Sequence, residues 1–207
     1  MGGKKRTGPR PASPGTKDRI VLAATGLLEE RGYHGFGLAE LLAASAAPKG
    51  SLYYHFPGGK EEVAAQAVLA GAEATASRIR GKLDGGPGLE ERFLEFVAGL
   101  AAGIEAGDYT SGGPLTIVAS ETSTGFPLLN EACRKAYDLI REAFMEALFE
   151  VGHSGEESLD LALTLCSALE GAIILARTYH RADFLDQVAR TLLPLLGPVP
   201  AKAAGTS

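Results

Sequence analysis

Apolar residues recur at helical spacing through most of the chain, and this pattern predicts an all-α protein. A first helix follows Thr16, a plausible N-cap, and continues to Gly32; Asp18 lies in its first turn, where a negative charge suits the helix dipole. Two short helices come next, the first capped by Gly37 and the second begun by Pro48. Together they predict a small N-terminal unit of three helices.

A longer series of helices is predicted after Pro57-Gly58-Gly59, which ends the third helix. These helices are expected at residues 60–80, 89–106, 115–121, 127–151, 157–180 and 183–196. The clearest linker is Asp-Gly-Gly-Pro-Gly at 84–88. The helix at 157–180 is apolar on two faces, so it must be covered on both sides, and a partner subunit is the natural cover for one of them.

The two ends of the chain differ from its helical body. Residues 1–15 are rich in Gly, Pro, Lys and Arg and have almost no apolar content, which predicts a disordered basic arm. Residues 197–207 are interpreted as a flexible tail. Between them we expect a small helical domain at 16–60 and a larger one at 61–196.

Charge is distributed unevenly along the chain. The net charge is −5, yet residues 1–60 contain nine Lys and Arg against four Asp and Glu, whereas the remainder contains eleven against twenty-one. A basic N-terminal part on an acidic body favours an anionic partner for the N-terminal part. Two widely separated cysteines without metal-ligand spacing indicate no metal or cofactor, and the absence of a signal peptide or membrane span predicts a cytoplasmic protein.

The second short helix has two unlike faces. At about 100° per residue, Leu52 and Phe56 lie in one narrow sector and are its expected core face. The other positions point away from that sector: Gly50, Ser51 and Tyr54 on the opposite side, Lys49 and Tyr53 on one shoulder, and His55 on the other. Two short helices with a small-residue turn, the second flanked by Lys49 and Lys60, form the pattern of a helix-turn-helix.

The outward residues of this helix suit a DNA duplex. Gly50 makes the helix less stable by about 1 kcal/mol than Ala would. A glycine there would allow the helix backbone to approach a DNA strand closely. Lys49 can reach a guanine edge or a phosphate, and Ser51 can bond either. Tyr53 and Tyr54 can pack on sugar or a thymine methyl group and bond a phosphate oxygen.

Three of these assignments have structural alternatives. Lys60 begins the next helix beside N–H groups that favour a phosphate, although a lysine near a helix start is usually only solvated. His55 is either structural or a phosphate contact. Tyr53 and Tyr54 could belong to the core alone, but the helical wheel leaves no room for four rings on one side.

Several motifs are similar to those of one known family. They are Arg-Gly-Tyr-His-Gly-Phe at 31–36, Lys-Gly-Ser-Leu-Tyr-Tyr-His-Phe at 49–56 and Gly-Lys-Glu-Glu at 59–62. The stretch from about Asp18 to Val68 thereby resembles the DNA-binding domain of TetR-family transcriptional regulators, and most of all the LmrA/YxaF-like branch. The resemblance continues downstream in Gly113-Pro114-Leu115, Ala119-Ser120-Glu121-Thr122 and Glu170-Gly171-Ala172.

The resemblance implies a homodimeric repressor of about nine helices. Its N-terminal domain would bind a palindromic DNA operator, and its larger domain would bind a small-molecule effector that changes the spacing of the two DNA-binding domains. Similarity to flavonoid-responsive members suggests a flat aromatic or otherwise apolar effector. One turn departs from the family, which usually has Gly and then a Val-like residue where this chain has Ala46-Ala47; a positive φ would strain Ala46 by about 1 kcal/mol.

Candidates for the effector pocket and the dimer face come from the later helices. The pocket candidates, each of which can instead be plain core, are Phe93, Phe96, Leu100, Thr116, Ser120, Phe126, Tyr137, Ile140, Phe144 and Cys166. The dimer candidates are Leu165, Ala168, Gly171, Ala172, Leu175, Leu185, Val188 and Leu192. Glu170, in an apolar helix, needs a partner such as Arg177 or a donor at the subunit interface.

Two other functions remain as alternatives to the ligand-responsive repressor. One is an all-helical enzyme with an incidental basic segment, but the sequence has no nucleophile–base pair, paired carboxylates or metal spacing to support it. The other keeps the fold and makes the protein an activator, or a binding module without a specific operator.

Overall fold

The computed structural model describes residues 15–85, 88–110, 112–122 and 125–197, so nearly all of the predicted basic arm and of the predicted tail lies outside the described residues. The described part contains nine α-helices, one 3-10 turn and no strand. The helices are α1 Thr16–Arg31, α2 Leu38–Ser45, α3 Lys49–His55, α4 Lys60–Leu83, α5 Leu89–Ala106, α6 Leu115–Glu121, α7 Pro127–Glu150, α8 Gly155–Tyr179 and α9 Asp183–Leu192, and the 3-10 turn is Leu193–Leu195.

Local sequence signals account for most of the helix ends. Gly37 is the N-cap of α2, as predicted, and Pro127 is the first residue of α7. Thr16 is not an N-cap: Gly15 has that role, and its N–H donates to Asp18 Oδ2 at 3.2 Å. Pro48 is likewise the N-cap of α3 and not its first helical residue.

The turn between α2 and α3 contains a strained residue. Ala46 has φ 48° and ψ 36°, the left-handed conformation that favours glycine. Its N–H donates to the carbonyl of Ala43 at 3.3 Å, and the next N–H, of Ala47, donates to the carbonyl of Leu42. The positive φ considered from the sequence is therefore present, and the cost at an alanine is about 1–2 kcal/mol.

Two hydrophobic cores form the interior, and α4 and α7 run through both. The first core joins α1, α2 and α3 to the N-terminal parts of α4 and α7 and to α6, with Leu28, Leu52 and Leu129 fully buried in it. The second core joins α5, α8 and α9 to the C-terminal parts of α4 and α7 around Phe93 and Phe144. Packing thus continues across residues 60–61, where the sequence places the domain boundary.

Helix α8 has one buried and one uncovered face. Its inner face packs with α7 and α9, and its outer face exposes the large apolar side chains of Leu159, Leu163, Ile174, Leu175 and Tyr179. By length and composition α8 could cross a membrane, a test that core helices of soluble proteins also pass.

Candidate nucleic-acid interface and ligand cavity

The two faces of α3 are separated as the helical wheel predicts. Leu52 and Phe56 are fully buried in the first core, whereas Tyr54 is 80% exposed and Tyr53 45% exposed. The ring of Tyr54 lies 4.9 Å from the ring of His55, edge to face. Tyr53 and Tyr54 therefore do not belong to the core, and their rings are free to contact another molecule.

The other residues of this face are also open to solvent. Lys49 and Gly50 are exposed, and Ser51 and His55 are partly exposed. Beyond its chain neighbours and the local backbone of α3, no described heavy atom lies within 4 Å of the position that a Cβ on Gly50 would take, so the interior of the protein does not require glycine there. We call the surface formed by residues 49–51 and 53–55 the α3 surface.

Lys60 does not extend the α3 surface. Its Nζ donates to the carbonyls of Tyr33 and Phe36 at 2.5 Å each and lies 4.4 Å from the centres of both rings. Burial lowers the pKa of Lys60, opposed by the charges of Glu121 and Glu40. The ammonium group thus ties the start of α4 to the α1–α2 connection, and its predicted phosphate contact is wrong.

A cavity of about 390 Å³ lies between the two cores. This size falls in the usual range for small-molecule sites. Its walls come from α1, α4, α5, α7 and α8, from the first residue of α6 and from the segment before it, and α1 contributes Thr25 and Glu29. The cavity therefore contacts the same helical unit that carries the α3 surface, which the sequence did not indicate.

Six of the ten predicted pocket residues line this cavity: Phe96, Leu100, Tyr137, Ile140, Phe144 and Cys166. The other four do not. Phe93 is buried in the second core, Phe126 packs against Tyr33 with ring centres 4.8 Å apart, and the exposed Ser120 donates to the Thr116 carbonyl. Thr116 does not line the cavity, but its hydroxyl donates to Glu170, which does.

Glu170 is the carboxyl group of the cavity wall on α8. Its Oε2 accepts a hydrogen bond from the Thr116 hydroxyl. The sequence named Arg177 as one possible partner, and that assignment is wrong because Arg177 donates to the carbonyls of Tyr109 and Glu29. Burial raises the pKa of Glu170 above its ordinary value of 4.5, and the Thr116 hydrogen bond opposes that rise. Burial, with a contribution from Glu170, also raises the pKa of Tyr137.

Arg177 instead joins three segments of the chain. Its Nε donates to the Tyr109 carbonyl and its guanidinium also donates to the Glu29 carbonyl, both at 3.2 Å. Burial raises the pKa of the Glu29 carboxyl, while the charge of Arg177 and a hydrogen bond from the Gly113 backbone lower it. α8 is thereby connected to the C-terminal end of α1.

Two further carboxylates connect the N-terminal helices to the rest of the protein. Glu121, the last residue of α6, accepts a hydrogen bond from the Tyr33 N–H at 2.5 Å. Glu61 Oε1, on α4, accepts from the N–H groups of Leu128 and Leu129 at 3.0 and 3.3 Å, which satisfies the free donors at the start of α7. α6 therefore meets the cavity carboxyl through Thr116 at one end and the α1–α2 connection at the other.

Comparison with known proteins decides the family of this chain. Residues 20–67 match the model of the bacterial regulatory proteins of the TetR family, and residues 90–191 match the model of the C-terminal domain of LmrA/YxaF-like transcriptional regulators. The HTH-type transcriptional regulator LmrA of Bacillus subtilis is 32% identical over 87% of this chain and 96% of its own length. The protein is a TetR-family transcriptional regulator of the LmrA/YxaF-like branch.

Other relatives of this TetR-family regulator agree in sequence and fold. The HTH-type transcriptional regulator YxaF of the same organism is 32% identical over 79% of this chain and 85% of its own length. The crystal structure of the regulatory protein TetR from Rhodobacter sphaeroides superposes with a TM-score of 0.76 at 22% identity, covering 87% of this chain and 98% of that one. These relatives are transcriptional regulators, so the family is a non-enzymatic one.

Part of the predicted dimer face of this TetR-family regulator is buried within the single subunit. Leu165, Ala172, Leu185 and Leu192 pack inside the second core, so their assignment to the dimer face is wrong. Leu175 is exposed, and Ala168, Gly171 and Val188 are partly exposed. Leu165 and Ala172 of α8 were assigned to the dimer face because both faces of this helix are apolar. Periodicity alone does not say which of two apolar faces turns inward.

Proposed function

We propose that the protein is a ligand-responsive repressor that binds a specific DNA operator as a homodimer. The observation that carries this proposal is the α3 surface, where two tyrosine rings are exposed on a helix whose opposite side is fully buried. Aromatic and hydroxyl groups beside a lysine, at the second helix of a helix-turn-helix, are the groups that read a major groove. The proposed DNA contacts are Lys49, Gly50, Ser51, Tyr53, Tyr54 and His55.

The operator is proposed to be palindromic. Two α3 surfaces related by a two-fold axis enter successive major grooves when they are about 34–36 Å apart. The two-fold contact is assigned to the uncovered face of α8 together with partly exposed residues of α9, because large apolar groups on that face are left in solvent by a single subunit. A protein working on DNA in this way belongs in the cytoplasm and needs neither cofactor nor membrane.

The effector is proposed to be a small apolar or aromatic molecule bound in the cavity between the two cores. Phe96, Ile140 and Phe144 provide an apolar wall, and Thr25 and Glu29 belong to α1 of the DNA-binding unit. A ligand can bind more tightly when α1 and α4 are displaced from the positions that suit the operator. Such a ligand weakens operator binding, and the size of the effect is the difference between its affinities for the displaced and the operator-binding arrangements.

The test is a gel-shift titration of the full chain against DNA upstream of its own gene and of the neighbouring genes. We expect selection of one palindromic segment, with an affinity that falls steeply as salt increases because lysine–phosphate contacts release counterions. A scrambled segment of the same composition is the control. Equal affinity for both segments at moderate salt would contradict the repressor and leave a binding module without an operator. Higher transcription from the bound promoter would make the protein an activator.

A further inference from the structure

One carboxyl group of the ligand cavity has no cationic partner among the described residues. Glu170 faces the cavity, and its hydrogen-bond donor is the neutral hydroxyl of Thr116. No Lys or Arg among the described residues forms an ion pair with it, and none shifts its pKa appreciably. Removing a carboxylate from water costs free energy that a single neutral hydrogen bond does not return.

The second carboxyl group of the cavity is in a different situation. Glu29 lies near Arg177 and accepts a hydrogen bond from the Gly113 backbone, and both lower its pKa against the effect of burial. The basic group among the described wall residues, Arg78, is exposed and donates to Thr75 on its own helix at 3.5 Å. Glu170 is thus the cavity carboxyl whose ionised form has no countercharge among the described residues, and a cationic ligand would supply one.

The other groups that line the cavity restrict the chemistry and the size of a ligand that could pair with Glu170. Phe96, Ile140 and Phe144 line the cavity with apolar surface, and Tyr137 and Cys166 next to Glu170 are neutral at physiological pH because burial raises their pKa values. The volume of about 390 Å³ accommodates a two-ring aromatic molecule. An anionic ligand would meet two carboxyl groups, and a neutral one would leave the ionised Glu170 without a countercharge.

We propose that the effector is an apolar or aromatic molecule carrying a protonated amine, which Glu170 selects by accepting its N–H groups. This inference rests on the proposed function, because it names the ligand class of the same cavity. An ammonium–carboxylate hydrogen bond in a shielded site contributes about 1.5–3 kcal/mol. That range corresponds to roughly a 10- to 150-fold preference for the amine over a neutral molecule of the same shape.

The test compares two probes of equal shape, naphthylmethylamine and naphthylmethanol, by calorimetric titration of the full chain without DNA. We expect the amine to bind at least about tenfold more tightly than the alcohol. Glu170→Gln keeps the size of the side chain and an acceptor for Thr116, and it should remove the preference. Glu156→Gln, which removes an exposed carboxylate from the same helix outside the cavity, should retain it.

Each other outcome overturns the inference. Equal binding of the two probes by the wild type, an unchanged preference in Glu170→Gln, or no binding of either probe contradicts charge selection at Glu170. Operator release is measured separately with the same probes. If the alcohol binds and releases the operator as well as the amine does, the repressor function stands and this inference fails. If the amine is selected through Glu170 but leaves operator binding unchanged, the inference stands and the proposed effector mechanism fails.

Discussion

The hydrogen bond between Glu121 and the Tyr33 backbone allows a quantitative test of the connection between the two parts of the protein. Its donor–acceptor distance is 2.5 Å, and its acceptor is a carboxylate whose charge also reaches Lys60. A hydrogen bond to a charged group contributes about 1.5–3 kcal/mol. Glu121→Ala removes this acceptor and leaves the Tyr33 N–H without its partner, so we expect unfolding to become easier by that amount.

For a chain of this length such a loss lowers the melting temperature by about 3 to 12 °C. The local effect is measured by hydrogen exchange: the Tyr33 amide should exchange faster in Glu121→Ala, since opening of the α1–α2 connection no longer breaks a hydrogen bond. Ser120→Ala is the matched control, because Ser120 is exposed and bonds only within α6 among the described residues. Unchanged exchange at Tyr33 together with an unchanged melting temperature would refute the reasoning.

Three further predictions concern strain, charge and assembly. Ala46→Gly should raise the free energy of unfolding by about 0.5–1 kcal/mol in urea titrations, because relief of the left-handed strain outweighs the added freedom of the unfolded chain; a loss of stability would contradict this. Glu170→Gln should raise the melting temperature at neutral pH by about 2 to 4 °C, the effect of about 1 kcal/mol. The sign follows from the raised pKa of Glu170. The stability that the protonated Glu170 gives is fully present below pH 4.5 and is lost as pH rises through the higher folded-state pKa. The gain in melting temperature from Glu170→Gln should therefore shrink in acid, and a gain that does not shrink would disprove this prediction. Leu163→Glu should give a monomer in sedimentation experiments, since it puts a charge on the uncovered face of α8, and a persistent dimer would exclude that face.

Local periodicity is enough to predict the helices and the two sides of α3. Leu52 and Phe56 are one turn apart in a short helix between clear breaks, so their burial follows from spacing alone. The strain at Ala46 is also a local property of a two-residue turn. The bounds of α5 and α6 agree with their predictions for the same reason.

The errors arise where distant segments decide the outcome. Lys60 is held by carbonyls 24 and 27 residues away, and Glu170 is paired with a hydroxyl 54 residues away, neither of which any spacing rule reveals. The contribution of α1 to the cavity is of the same kind. Polar residues in otherwise apolar segments were a usable signal for Glu121 and Glu170, but the signal indicates a buried partner without naming it.

The measurement that tests the central claim most directly is the affinity of Tyr54→Ala for the operator, by fluorescence anisotropy at fixed salt. Tyr54 is 80% exposed, so its removal should leave the melting temperature nearly unchanged while weakening operator binding by about 1–3 kcal/mol, roughly 5- to 150-fold. Phe149→Ala, which removes another exposed ring at the far end of α7, should bind like the wild type. Wild-type affinity in Tyr54→Ala would contradict the assignment of the α3 surface to DNA.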